Sequence, residues 1–288
     1  MIEINEEIIK EVFQDREKSA KKYDYGMVIV VGGSSLYTGS PVLSAMAALR
    51  SGADIAQIIA PRRSADIGAS FSPDIITFPL DGDHLLEKHL SDLLRLIRSA
   101  EIVSKNRVAL VVGGGLGRDK ETKDTVYQLL EETSVPVVID ADAVYALEGR
   151  KIGTNRKKTL FTPHLYEFYA LTGKSLSTFS LEERGERVKF FAEKLSSTIL
   201  LKGEYDFISD GETLEVNKMS IPYLTAGGTG DVLAGIAGAL LARGLSPLMA
   251  GKTAAIISTK AGMLAAEEKR DSLIATDVIE KIPEAIRN

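Results

Sequence analysis

The 288-residue chain has no cysteine. That absence removes disulfides, thiolate zinc sites and a cysteine nucleophile together, and accords with a reducing compartment. Histidine is nearly as scarce: His84, His89 and His164 are all there are, and they make no metal motif. No basic block breaks up the mixed charge, whose formal net is -5, so nothing points to nucleic acid or to an anionic membrane as partner. The longest apolar stretch, 232–242, falls short of the roughly 18–20 residues that a membrane helix needs. The opening Met1-Ile-Glu-Ile-Asn-Glu-Glu lacks the basic segment and apolar core of a secretory signal, and a cytoplasmic location is expected.

What the chain does have is a 44% hydrophobic content, enough to build a large core, and its arrangement predicts one α/β domain over residues 1–288. Short β-branched runs at Met27–Val31, 55–59, Val108–Val112 and 136–139 are apolar throughout, which fits strands buried on both faces of a parallel sheet. Helical patterns at 41–51, 84–100, 120–133 and 142–148 alternate with them. Later, Thr198–Leu201 reads as a further buried strand, and Asp210-Gly211 as the turn of a hairpin between 206–209 and 213–216. The end is helical, with 232–242 and 247–268 separated by a glycine stop and a proline start. No internal repeat or long linker marks a second domain.

Glycine clusters follow the predicted strands: Gly32-Gly33-Ser34, Gly113 to Gly117, and Lys202-Gly203. In parallel α/β sheets ligands bind beyond the carboxyl ends of strands, so these loops can converge on one cleft. The most informative segment is Thr225-Ala226-Gly227-Gly228-Thr229-Gly230-Asp231, a glycine loop that feeds an apolar helix. Free N–H groups in the first turn of such a helix suit an anion. The loop is not a Walker-type phosphate loop, because no Lys-Ser or Lys-Thr pair follows its last glycine, and the spacing of a Rossmann fingerprint is absent. A carboxylate beside an anion site is repelled by the ligand, so Asp231 reads as a proton acceptor. The alternative reading is a helix capped by Thr229 or Asp231 over a tight turn.

Taken together, the chain resembles the ADP/ATP-dependent NAD(P)H-hydrate dehydratases, a branch of the ribokinase-like superfamily. The resemblance runs through Gly32-Gly-Ser-Ser-Leu-Tyr-Thr-Gly-Ser-Pro41, Ala47 to Ala53, Val112-Gly-Gly-Gly-Leu-Gly-Arg118, Val138-Ile-Asp-Ala-Asp142, Thr162-Pro-His-Leu-Tyr-Glu167, Leu201-Lys-Gly203 and Ala226 to Gly235. It implies a three-layer αβα sandwich with a mostly parallel central sheet. It implies that Ser40, Gly117, His164 and Asp231 contact hydrated NADH or NADPH (NADHX, NADPHX), with Asp231 facing the reacting hydroxyl. Lys202, Gly203, Glu204, Tyr205 and Asp206, with Gly227, Gly228, Thr229 and Gly230, would hold an adenine nucleotide. ADP or ATP would be the phosphoryl donor, accompanied by Mg²⁺ because nucleotide phosphates usually arrive with it. The resemblance also implies a homo-oligomer, a tetramer; relatives are often fused to an epimerase, for which these 288 residues leave no spare length, so any epimerase is expected to be a separate protein.

Two positions depart from the family pattern: Gly113-Gly114-Gly115 stands in place of Gly-Pro-Gly, and Ser40 in place of a common alanine. Several side chains keep two readings. Asp140 and Asp142 would place Mg²⁺ through water, orient a loop or cap a helix, and Glu167 would join the same metal–water network. Lys202 would meet nucleotide phosphate or solvent, and His164 would bond substrate or sit in a first helical turn. The rival activity is a ribokinase-like kinase acting on a hydroxymethylpyrimidine, a thiazole or a sugar. The non-enzymatic rival is a dinucleotide-binding module.

Overall fold

The apolar runs that end in glycine loops form neighbouring strands of one sheet. The computed structural model describes residues 1–150, 158–219 and 221–287. Its strands are β1 (Ile2–Glu3), β2 (Met27–Val31), β3 (Ile55–Pro61), β4 (Ile75–Leu80), β5 (Val108–Val112), β6 (Val137–Ile139), β7 (Thr159–Phe161), β8 (Thr198–Leu201), β9 (Asp206–Ser209) and β10 (Leu214–Asn217). They lie in the order β1-β10-β9-β8-β7-β6-β5-β2-β3-β4. Pairing is parallel except at β8–β9 and β9–β10. The predicted hairpin is present, with the Asp210 carboxylate accepting from the Glu212 and Thr213 amides in its turn.

The helices are α1 (Ile8–Val12), α2 (Ser40–Arg50), α3 (Arg62–Phe71), α4 (Leu90–Val103), α5 (Lys120–Glu132), α6 (Asp142–Tyr145), α7 (Leu165–Thr172), α8 (Leu181–Leu195), α9 (Thr229–Ala242), α10 (Pro247–Lys269) and α11 (Ala275–Arg287). Alternate strand residues serve opposite faces of the sheet. Val28, Val30, Ala109 and Val111 join one hydrophobic cluster with α2, α9, α10 and α11, whereas Ile29, Val31, Leu110 and Val112 join another with α4, α5, α7 and α8. That division explains why the central strands read as unbroken apolar runs, and it yields the three-layer αβα sandwich.

Helix α9 is buried at every residue from Val232 to Ala242, wedged among α2, α10 and the sheet. Full burial of a side chain such as Ile236 or Leu240 is worth about 1.5–3 kcal/mol. The core of this chain therefore accounts for the 232–242 stretch. Among the described residues, no helix is long and apolar enough to cross a membrane. One predicted helix is shorter at its start: over 84–100, a 3₁₀ turn at Glu87–His89 comes first and the α-helix runs Leu90–Val103. His89 explains the delay, because its imidazole accepts the Leu86 amide at 3.1 Å and bonds the Asp81 carbonyl oxygen at 3.0 Å.

The chain runs outward from β2 through β3 to β4, then returns to place β5 on the other side of β2. The crevice at such a reversal is where open α/β sheets bind ligands. Here the Gly33 amide donates to the Gly114 carbonyl at 2.8 Å, which ties together the two glycine loops that leave β2 and β5.

Candidate active site

Five strand ends supply the site. Ser40 follows β2, Gly113 to Gly117 follow β5, Asp140 follows β6, Thr162 to His164 follow β7, and Lys202 follows β8. The first turn of α9 closes over them. Gly228 caps this helix with φ of 90°, a left-handed conformation that favours glycine, and no side chain caps it. The Thr229 hydroxyl donates to the Leu224 and Ala226 carbonyls at 2.7 and 2.9 Å, so neither Thr229 nor Asp231 spends its side chain as a cap. The Thr229 amide donates to the Ala226 carbonyl at 3.4 Å, and those of Gly230 and Asp231 stay available to a ligand.

Asp231 lies against the β5 loop. A β-carbon built on Gly114 would come within 2.3 Å of Asp231 Oδ1 and 2.9 Å of the Ser40 β-carbon. Only a residue without a side chain lets carboxylate, serine and loop close together. The Ser44 hydroxyl donates to the Asp231 carbonyl at 2.9 Å and anchors that turn to α2. Burial first, and then the negative charge of Asp140, push the Asp231 carboxyl up to about 7, while a hydrogen bond from Ser40 and the charge of Lys202 pull the other way. A base poised near neutrality can both take a proton and release it. Replacing Ser40 by Ala removes the bond that favours the ionised form. The acid limb of kcat/KM is then expected to move up by about 0.5–1 pH unit, with turnover near wild type at pH 9. A pH–rate profile checks this, and an unmoved limb would show that the hydroxyl does not act on Asp231.

Lys202 is the cation of the site. Its ammonium lies 2.7 Å from Asp140 and 3.8 Å from Glu167. Burial disfavours the ammonium, but the charges of Asp140 and Glu167 outweigh it and hold the Lys202 pKa above its ordinary value. Thr162 donates to the same Asp140 oxygen at 2.8 Å. A β-carbon on Gly230 would meet the ammonium at 3.4 Å, so lysine and helix start face a common space. Glu167 is pushed up to about 7, chiefly by burial.

Of the two readings open for His164, the structure shows the place at a helix start. It is the N-cap of α7: its Nδ1 accepts the Tyr166 and Glu167 amides at 3.1 and 3.2 Å, while Glu167 accepts the His164 amide at 2.8 Å. An accepting Nδ1 leaves the proton on Nε2, which stands 3.2 Å from Glu167. Burial, then Lys202, keeps the ring's pKa below the ordinary histidine value. The same ring also lines the main cavity.

That cavity, about 730 Å³, is bordered by Lys202, Gly203, Glu204, Asp206, Thr229 and Gly230, six of the nine residues expected at the nucleotide, and by His164, which was expected at the hydrate; Gly227 and Gly228 do not line it. Tyr205 is the exception in its segment and packs against the hydrophobic cluster on the sheet's other side. Gly117 lies apart from the cavity wall, where the Asp142 carboxylate accepts its amide at 2.9 Å and bonds Arg118 at 2.8 Å. Arg118 in turn sits 3.6 Å over the Tyr145 ring. Of the readings open for Asp142, the structure favours loop orientation. Sequence reasoning missed the apolar wall of Met219, Ile221 and Leu224 with Ser258 and Thr259. No local motif marks them, because they meet only through the packing of α10 against the hairpin.

With this geometry in place, likeness to known proteins becomes informative. The family model described as NAD(P)H-hydrate dehydratase matches residues 28–284. The chain belongs to that family. It is 42% identical over 94% of its length to a bifunctional NAD(P)H-hydrate repair enzyme of Pyrobaculum aerophilum, of which it covers 52%. The chain thus spans about half the length of the bifunctional curated relatives it matches. It is also 35% identical to the ADP-dependent (S)-NAD(P)H-hydrate dehydratase of Cenarchaeum symbiosum, over 99% of this chain and 96% of that one. A ribokinase-like superfamily protein from Enterococcus faecalis shares the fold, with a TM-score of 0.85 at 23% identity over 99% of this chain and 95% of its own. Membership and fold agree with what the motifs imply.

Proposed function

We propose that this chain restores NADH and NADPH from the S-epimers of their hydrates, consuming an adenine nucleotide. The observation that carries the reading is Asp231, a half-buried carboxylate poised near pH 7 one residue beyond the cavity-lining Thr229 and Gly230. In this reading the nucleotide lies in the 730 Å³ cavity and the hydrate beside Ser40, Gly117 and His164. Asp231 accepts the hydroxyl proton as that oxygen attacks the terminal phosphoryl group, and the bond from phosphorus to the leaving nucleotide breaks. Amides of Gly228, Thr229 and Gly230, with the Lys202 ammonium, carry the charge on the transferred oxygens. The ring nitrogen then pushes out phosphate, a proton leaves the neighbouring ring carbon, and the dihydronicotinamide is regenerated.

Among the described residues no group of three or more metal-ligating side chains gathers, and Asp140 and Glu167 both lean on Lys202. That donor set fits Mg²⁺ brought in on the nucleotide and held by Asp140 and Glu167 through water. The ion would supply charge neutralisation on the phosphates. We further propose that residues 1–288 act as one cytoplasmic domain and that it assembles as a homotetramer.

The test is recovery of near-ultraviolet absorbance from hydrated NADH with Mg²⁺ and ADP, with ATP, or with no nucleotide. Recovery with ADP or ATP and none without nucleotide is the expected result. A stable phosphate ester formed from an alcohol, with no recovery from the hydrate, would replace the dehydratase reading by the superfamily kinase. Ligand binding with no turnover of any kind would leave a binding module.

A further inference from the structure

The cavity that the proposed function gives to the nucleotide has two unlike ends. Lys202, Thr229 and Gly230 make one cationic and amide-rich; Met219, Ile221 and Leu224 make the other apolar. Within this cavity stands a carboxylate that the chemistry above does not use. Asp206 opens β9, is pushed up to about 6 by burial, and has no ion-pair partner among the described residues.

Its surroundings fix what it can do. The Thr259 hydroxyl donates to the Ala255 carbonyl at 2.9 Å, so its oxygen is left to accept from Asn217 Nδ2 at 3.0 Å. Asn217 Oδ1 takes the Met219 amide at 3.1 Å, which sets the orientation of the amide group. The second Nδ2 hydrogen goes to Asp206 Oδ2 at 3.1 Å, and the Gly203 amide reaches Asp206 Oδ1 at 3.3 Å. Asn217 is buried, with 1% of its surface exposed, and all its hydrogen-bonding groups are satisfied. Asp206 has accepted two bonds, while an ionised carboxylate has roughly four acceptor sites. At pH 7.5 it is therefore a carboxylate on a cavity wall with acceptor capacity left and nothing in the protein to fill it. Leaving such a group unmet on binding is costly, so a ligand that donates there is favoured over one that does not.

We propose that Asp206, held by Asn217 and Thr259, reads the exocyclic amine of the nucleotide base and so selects 6-aminopurine over 6-oxopurine diphosphates. An adenine amine donates to the carboxylate. Hypoxanthine and guanine present an oxygen at that position, and two acceptors then face each other at the cavity wall. The ribose diol is the other hydrogen-bond donor that a nucleotide carries, and the experiment separates the two sources. The inference rests on the nucleotide reading of the cavity.

The measurement is titration calorimetry at pH 7.5 with Mg²⁺ and without hydrate, on the full chain and on Asp206→Asn, using ADP, inosine diphosphate and 2′-deoxy-ADP. The wild type is expected to bind ADP about 30–100-fold more tightly than inosine diphosphate, with 2′-deoxy-ADP within about threefold of ADP. Asp206→Asn, whose amide can donate as well as accept, is expected to bring the first ratio below about threefold. Equal wild-type affinity for ADP and inosine diphosphate overturns the base-reading role and leaves the nucleotide site standing. A large penalty confined to 2′-deoxy-ADP assigns Asp206 to ribose instead. If the wild type binds none of the three, the nucleotide reading falls and this inference falls with it. Equal wild-type affinities overturn the role even where the variant does not fold.

Discussion

Asp231→Asn is expected to lose about 10³–10⁴-fold in kcat at pH 8 while retaining nucleotide binding, and to unfold at a higher temperature than the wild type. The first effect follows from chemistry. The amide matches the carboxylate in size and can still bond Ser40, but it cannot take the hydroxyl proton, and a positioned base contributes about 10²–10⁴-fold. The second follows from what burial does to the carboxylate. Its folded pKa is raised to about 7, while in the unfolded chain it returns to the ordinary aspartate range. Between those values the folded state holds a proton that the unfolded state has lost, so stability falls as pH rises through this window. Above pH 7 the ionised carboxylate is a standing cost, which Asn removes. A gain of about 1–2 kcal/mol, or roughly 2–6 °C in Tm, is expected at pH 8 and should vanish near pH 4. Calorimetric melting of both proteins across pH 4–8.5, beside single-turnover rates, checks both effects. Equal rates would remove Asp231 from the chemistry, and a pH-independent difference in melting would remove the charge argument.

Lys202→Met should do the reverse and destabilise strongly. It deletes the cation that Asp140 and Glu167 share and leaves both carboxylates buried without a partner. Breaking a buried pair from one side costs about 3–5 kcal/mol, and roughly 10 °C in Tm is the corresponding loss. The deficit should be largest above pH 7 and shrink toward pH 5, because acids whose folded pKa is raised regain stability on protonation. Asp140→Asn added to Lys202→Met is expected to restore about half of the lost stability, but not the affinity for ADP, which on the proposed function would depend on the ammonium beside Gly230. Denaturant unfolding at two pH values, with ADP titration of each folded variant, distinguishes these outcomes. A Lys202→Met protein as stable as wild type would mean that the ammonium is effectively solvated.

The central sheet was readable because its strands carry their own signature. Met27–Val31 and Val108–Val112 are five apolar residues each, with no alternative to burial on both faces. The weak strands were not. β7 has three residues, and β4 contains Pro79 and lies at the sheet's edge, where a proline is tolerated and the pattern fades. Helix α8 carries a readable start, the Ser180–Glu183 capping box, but was not delimited in advance. Within the site, glycine loops and charged residues next to strands were legible because their backbone demands are local. The apolar wall of the cavity was not, since Met219, Ile221 and Leu224 look like any other hydrophobic residues until the hairpin is set against α10.

The first turn of α9 is a partition as well as a helix start. Thr229 and Gly230 border the cavity on one side, and one residue later Asp231 faces Gly114 and Ser40 on the other. With the nucleotide in the cavity and the hydrate beside Ser40, as proposed, neither ligand would have to leave for the other to enter. On the proposed function, steady-state plots against both substrates should then intersect rather than run parallel, the pattern of direct transfer with no phosphoryl group lodged on the protein.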